Sequence, residues 1–220
     1  MNLALDTKQT RDYKTVVEFI KDFNLQRKDD RGDDLYIFSN VEWSDYENLL
    51  EELEDISWCR ISYLDGLLEI MAPGRKHERI KELTGRLIVA YCDEKEIDYF
   101  SFGSTTLKNK EFKVGKEPDT GYAIAIDKEL PDIAVEVNQT SGSINDLEKY
   151  KRLGILEVWI WDKNDKLEFY ILTKNEYKKS LKSKFLNNLE SNIVQKYVEI
   201  MKEQGERIGK KEFIKIINSL

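Results

Sequence analysis

The segment Pro131-Asp132-Ile133-Ala134-Val135-Glu136-Val137-Asn138 constrains the fold of this chain more than any other. A proline followed by an apolar, β-branched run predicts a strand, and alternation turns Ile133, Val135 and Val137 to one face and Ala134, Glu136 and Asn138 to the other. A carboxylate in the middle of such a strand is costly to bury unless a cation meets it. Whatever surrounds this strand must therefore bring positive charge to Glu136.

The rest of the chain supplies layers to cover it. Residues 58–71 predict a hairpin, because two strand-like runs meet at Asp65-Gly66, which supplies the positive φ angles of a type I′ turn. From Lys76 to Glu94, Ile80, Leu83, Leu87, Ile88 and Tyr91 recur at helical spacing. Residues 98–107 and 118–126 read as extended segments, the second after Glu117-Pro118-Asp119. A helix from about Ile144 to Leu153 ends at Gly154, and residues 157–161 and 166–172 form a second hairpin. Trp43-Ser44-Asp45-Tyr46-Glu47 opens another helix, with Ser44 as N-cap, Glu47 as its reciprocal partner, and Leu49, Leu50 and Leu53 as the buried face.

Two further segments flank this core. Residues 13–24 place Val16, Val17, Phe19, Ile20 and Phe23 on one side of a helix, before the charged stretch from Arg27 to Asp34, read as a solvated connector. Residues 187–217 are mostly helical, and their stripe of Leu189, Ile193, Tyr197 and Ile200 packs on the domain or on a second copy. The order of elements implies an α/β fold with a mixed central sheet flanked by helices and a helical C-terminal extension. The expected divisions are 1–34 (helix and linker), 35–173 (the main domain) and 174–220 (a basic tail).

Charge sharpens those divisions. Residues 174–220 hold eleven Lys or Arg against six Glu, a net of +5, so with -7 for the whole chain the first 173 residues carry -12. That balance argues against a constitutive nucleic-acid binder with an open basic surface, while leaving room for an enzyme whose carboxylates belong to a metal site. One His and two cysteines, Cys59 and Cys92, cannot close a structural zinc site or a disulfide framework, and buried free thiols in a cytoplasmic protein are expected. No apolar stretch approaches a membrane span, so no membrane partner is expected.

The chemistry converges on three residues. Asp119 follows Pro118 at the start or edge of a strand, Glu136 lies on the next, and Lys149 sits on the helix beyond. Two carboxylates on adjacent strands suit a hard divalent ion such as Mg²⁺ or Mn²⁺, which keeps waters for a substrate to displace. A nearby lysine can orient the attacking water or stabilise charge on a phosphate. Ser104 in its Gly-Ser turn has no partner histidine at recognisable spacing, so a serine hydrolase is not indicated. Trp159 and Trp161 read as core.

Taken with their spacing, several motifs resemble the PD-(D/E)XK nuclease superfamily, and more closely its Uma-two family of restriction-endonuclease-like proteins. The resemblance runs from about Trp43 to Leu172. It is carried by Tyr63-Leu64-Asp65-Gly66-Leu67-Leu68-Glu69-Ile70-Met71-Ala72-Pro73, His77 with its helix, Gly103-Ser104-Thr105, Glu117-Pro118-Asp119, Pro131 to Val137, Thr140-Ser141-Gly142, and Gly154-Ile155-Leu156-Glu157-Val158-Trp159. It implies a restriction-endonuclease-like fold, with Asp119 and Glu136 as metal ligands, the Val137 carbonyl as a third, and His77 beside the site.

One departure bears on activity. The superfamily pattern places Lys two residues after the Glu, where this chain has Asn138, and the corresponding helix position carries Asp146. Lys149 is three residues further on the same helical face and is the expected substitute. Two functions follow. One is a Mg²⁺-dependent endonuclease acting on DNA, with Asp119 and Glu136 holding the ion, Lys149 assisting the water, and His77 or Glu78 tuning the site. The other is a catalytically silent relative that binds a protein partner or forms a homodimer through its helices.

Overall fold

The computed structural model describes Glu18 and residues 32–54, 58–138 and 145–219. The predicted helix at 13–24 and the Thr140-Ser141-Gly142 motif lie outside the described residues, Glu18 excepted. The described chain runs β1 (Asp34–Phe38), α1 (Trp43–Glu52), β2 (Arg60–Leu64), β3 (Leu67–Ala72), α2 (Arg75–Glu94), β4 (Tyr99–Ser101), β5 (Leu107–Asn109), β6 (Val114–Lys116), β7 (Thr120–Ile124), β8 (Ile133–Val137), α3 (Asp146–Leu153), β9 (Glu157–Trp161), β10 (Leu167–Thr173), β11 (Glu176–Ser180), α4 (Ser191–Gln204) and α5 (Glu206–Ile217).

The expected mixed sheet is present, accompanied by a second one. One sheet has the order β1-β3-β2-β6-β5 and is antiparallel throughout; the other has the order β11-β10-β9-β8-β7-β4, with β8 and β9 its parallel pair. Parallel neighbours need a crossover, and α3 is that crossover. In the first hairpin Asp65 and Gly66 both take positive φ, 49° and 87°, as the turn chemistry predicts.

Strand β8 shows the two-faced character read from its sequence. Ile133, Val135 and Val137 join Leu83, Leu87, Trp159, Phe169 and the apolar faces of α4 and α5 in the largest core. On the other face, Ala134 packs with Leu64, Val114, Tyr150 and Val158, which seals the second sheet and α3 onto the first. A third core joins α1 to the hairpin, where Trp43, Tyr46 and Tyr63 meet edge-on or stacked at centroid separations of 5.0–5.3 Å. Each large side chain buried here contributes roughly 1.5–3 kcal/mol of apolar transfer.

Several details differ from the sequence reading. Ser44 lies inside α1, because Glu42 has the extended backbone of a cap (φ -73°, ψ 154°) and makes no side-chain capping bond. Asp33 and Asp34 are not solvated linker: Asp34 opens β1, and Asp33 is buried against Gly74 and His77. The charge step near residue 174 falls inside the β10–β11 hairpin. Leu189 and Tyr197 are buried in the main core, with Ile193 and Ile200 packed beside it, so the stripe that would serve a homodimer is already covered by its own domain. No helix among the described residues is long and apolar enough to cross a membrane. Cys59 and Cys92 are buried, and neither forms a disulfide among the described residues.

Candidate functional site

Local sequence sets the positions of the site residues. Pro118 fixes the entry to β7, so Asp119 stands next to Glu136 across the antiparallel β7–β8 pair, whose register joins Thr120 to Val135. The Val137 N–H donates to Asp119 Oδ2 at 2.8 Å, locking that carboxylate beside β8. Asn145 caps α3 by accepting the Glu148 N–H at 3.1 Å, and this fixes which residues the helix turns inward. Asp146, Lys149, Tyr150 and Leu153 form that buried face, as the i, i+3, i+4, i+7 spacing requires.

His77 sits in the first turn of α2 between two carboxylates. Its Nε2 lies 2.9 Å from Asp119 Oδ1 and its Nδ1 3.1 Å from Asp33 Oδ2, while Asp33 Oδ1 accepts the Gly74 N–H at 2.7 Å. Burial alone disfavours an imidazolium, but the Asp119 charge and its contact, with Asp33 behind, outweigh it and push the pKa up to about 10. Burial likewise raises Asp119, and the His77 charge and contact overcome that and hold it below the usual carboxylate range. The two form a charged pair, with His77 placed to orient Asp119.

Glu136 is met by Lys116. The Lys116 Nζ lies 2.9 Å from Glu136 Oε2 and 3.1 Å from Asp146 Oδ1, and the Tyr150 hydroxyl donates to Glu136 Oε1. Burial pushes Glu136 well above its ordinary value, Asp119 and Asp146 add to this, and Lys116 offsets only part of it. Lys116 itself is held charged: three carboxylates, Asp146, Glu136 and Glu69, overcome its desolvation. One lysine among three acids stays protonated while one of the acids becomes easy to protonate.

Lys149 occupies the next position outward. Its Nζ donates to Ser62 Oγ at 2.7 Å and lies 3.4 Å from Glu69 Oε2 and 3.7 Å from Asp146 Oδ1. Burial lowers its pKa, and Asp146, the next largest influence, only partly counters this. Asp146 Oδ1 thus bridges Lys116 and Lys149, and its Oδ2 accepts from Asn138 Nδ2 at 3.1 Å. Among the described residues the cation paired with Glu136 is Lys116, with Lys149 one carboxylate removed. Glu78 is far more exposed and pairs with Lys81 and Arg60.

The sequence reading missed Lys116 and Asp33. Lys116 ends a three-residue strand of the other sheet, too short to show periodicity, and Asp33 sits in a charged run. The central strand's demand for a cation was the available signal for Lys116.

A cavity of about 20 Å³, space for one water or one ion, is lined by Glu136, Val137, Asn138, Lys116, Glu117 and Ser62 among others. In the surrounding cluster five buried carboxylates (Asp33, Glu69, Asp119, Glu136 and Asp146) face three buried cations (His77, Lys116 and Lys149). With all ionised, two negative charges are left over, and the raised Glu136 pKa lets a proton take up one of them. No three His, Cys, Asp or Glu side chains among the described residues form a closed metal cage.

Paired carboxylates on neighbouring strands of a mixed sheet, with helices on one face and a second sheet on the other, define a restriction-endonuclease-like fold. Residues 43–200 match the family model Uma2, described as "Putative restriction endonuclease". The chain belongs to the Uma2 family. No curated protein matches it.

Proposed function

We propose that this protein is a divalent-metal-dependent endonuclease that hydrolyses DNA phosphodiester bonds. The observation that carries the reading is the pairing of Asp119 and Glu136 across β7 and β8, with an ion-sized cavity lined by Glu136, Val137 and Lys116. The donor set fits a hard cation: two carboxylates and the Val137 carbonyl are oxygen ligands, and Mg²⁺ ordinarily takes one or two carboxylates and keeps its waters. When bound, such an ion supplies Lewis acidity toward a phosphoryl oxygen and lowers the pKa of a coordinated water.

The chain's own residues have distinct tasks in this reading. Asp119 and Glu136 hold the ion, His77 and the Val137 N–H orient the Asp119 carboxylate, and Tyr150 orients Glu136. Lys116 is the cation nearest the ligands and supplies charge toward a phosphate. Lys149, expected from the sequence for that role, holds Asp146 and Ser62 in place and supports Lys116. Asn138 contributes a hydrogen bond to Asp146 in place of the lysine of the superfamily pattern.

Relaxation of supercoiled plasmid in the presence of Mg²⁺ or Mn²⁺ tests the proposal. The wild type should cleave, Asp119→Ala and Glu136→Ala should lose at least about a hundredfold, and Lys116→Ala should lose more than Lys149→Ala. Equal activity in all variants would refute the assignment. A second reading, a catalytically silent relative, is favoured by one observation: all four oxygens of Asp119 and Glu136 are already engaged by protein groups, two in hydrogen bonds from Val137 and Tyr150 and two in ion pairs with His77 and Lys116. Calorimetric titration with Mn²⁺ separates the two, since a silent relative gives no binding heat that Glu136→Gln removes.

A further inference from the structure

A groove of about 720 Å³ opens beside Asp119 between α2 and α5, with Tyr122 of β7 at its base. Its deep surface is apolar or small, formed by Gly85, Val89, Tyr122 and Met201, and its rim carries Lys81, Arg86, Arg207 and Lys210 together with Glu82 and Glu206. The rim cations are not equivalent. Arg86 is forked between Glu82 (3.0 Å) and Glu206 (2.7 Å), and Lys81 is held by Glu78. Arg207 and Lys210, both exposed and three residues apart on α5, face the same groove, and neither makes an ion pair among the described residues. They are the charge left available to a ligand.

We infer that this groove takes one unpaired nucleotide of a nucleic-acid strand, its base against Val89 and Met201 and its flanking phosphates on Arg207 and Lys210. The inference rests on the nuclease reading and adds to it the form of substrate. Three features lead there. The volume is that of a site for a ligand of drug size, which a single nucleotide is. An apolar floor beneath Arg207 and Lys210, the rim cations not taken up by Glu82 and Glu206, matches a base with its phosphates, as in single-strand binding sites. A paired, stacked duplex cannot put a base into such a pit without extruding it, an unstacking cost that single strands and frayed ends avoid. Asp119 lines the same groove, so a strand seated there lies against one of the two paired carboxylates. The basic C-terminal tail, through α5, then becomes one wall of the substrate site.

Fluorescence anisotropy with the full chain in EDTA, using a short labelled oligothymidylate and a labelled hairpin duplex, tests this separately from cleavage. The oligothymidylate should bind at least about tenfold more tightly than the duplex. Arg207→Ala/Lys210→Ala should weaken it about tenfold and reduce the slope of log K against log salt by about 1.4, two phosphate contacts at roughly 0.7 each. Val89→Trp, which fills the pit and leaves the rim charges, should also weaken it. Equal affinity for duplex and single strand, an unchanged double variant, or full binding by Val89→Trp would each overturn the inference. Glu136→Gln should retain oligothymidylate binding, so a protein that binds the oligomer and never cleaves plasmid refutes the nuclease reading and leaves the groove assignment standing.

Discussion

Lys116 Nζ lies 2.9 Å from Glu136 Oε2, although Lys116 ends β6 of one sheet and Glu136 belongs to β8 of the other. The site therefore exists only where the two sheets are stacked.

That pair predicts a non-additive stability pattern. Lys116→Met leaves buried carboxylates without their cation and should cost about 3–5 kcal/mol, whereas Lys116→Met/Glu136→Gln should recover a large part of the loss. Urea unfolding of the two single variants and the double variant gives the coupling energy. Simple additivity would show that the contact contributes nothing of its own.

Metal linkage supplies a second outcome. If Asp119 and Glu136 hold a divalent ion, Mn²⁺ at about a hundred times its dissociation constant should stabilise the wild type by about 2.7 kcal/mol. The stabilisation should disappear on adding chelator and in Glu136→Gln. A thermal shift of equal size in wild type and Glu136→Gln would place the ion elsewhere.

The close approach of α1 to β6 predicts the effect of a single methyl group. A Cβ at Gly115 would stand 2.0 Å from Tyr46 Oη and 2.4 Å from Cζ, both on a ring packed against Tyr63, so Gly115→Ala should destabilise by about 1–3 kcal/mol. Tyr46→Phe should instead raise stability by about 1 kcal/mol, because that hydroxyl is buried with no hydrogen-bond partner among the described residues. Thermal unfolding of the two variants checks both signs.

Glu157 predicts a pH dependence. It is fully buried, and desolvation raises its pKa even though Trp159 Nε1 and the Lys184 N–H donate to it at 2.6 and 2.8 Å. Because the folded state then holds the proton more tightly than the unfolded state, ionising Glu157 opposes folding. That cost is absent below the ordinary value of 4.5 and grows as pH rises through the folded-state pKa. The stability of wild type relative to Glu157→Gln should therefore fall as pH rises above 4.5. A flat difference across that range would refute the assignment.

The sequence revealed the elements that are long or strongly punctuated and missed the short ones. Strand β8, helix α2, the Asp65-Gly66 turn and the Gly154 stop were legible because each combines periodicity with a residue whose backbone preference is unambiguous. Strands β5, β6 and β11 were not: Val114-Gly115-Lys116 has no room for alternation, and Glu176-Tyr177-Lys178-Lys179-Ser180 is a polar strand at the sheet edge, held by pairing with β10 rather than by a buried face. For the same reason Asp119, Glu136 and Lys149 could be named as candidates from their neighbours in sequence, and His77 from the family resemblance. Lys116 and Asp33 reach them only through tertiary contacts.

The hydrogen bond from Lys149 to Ser62 joins residues 87 positions apart in the chain. A growing polypeptide that has just emitted β8 already contains both carboxylates, yet it lacks the lysine and tyrosine of α3 that hold the surrounding groups. The chain that follows β8 thus supplies the last contacts of the cluster rather than all of them, and closing that long loop separates synthesis of the carboxylates from its completion.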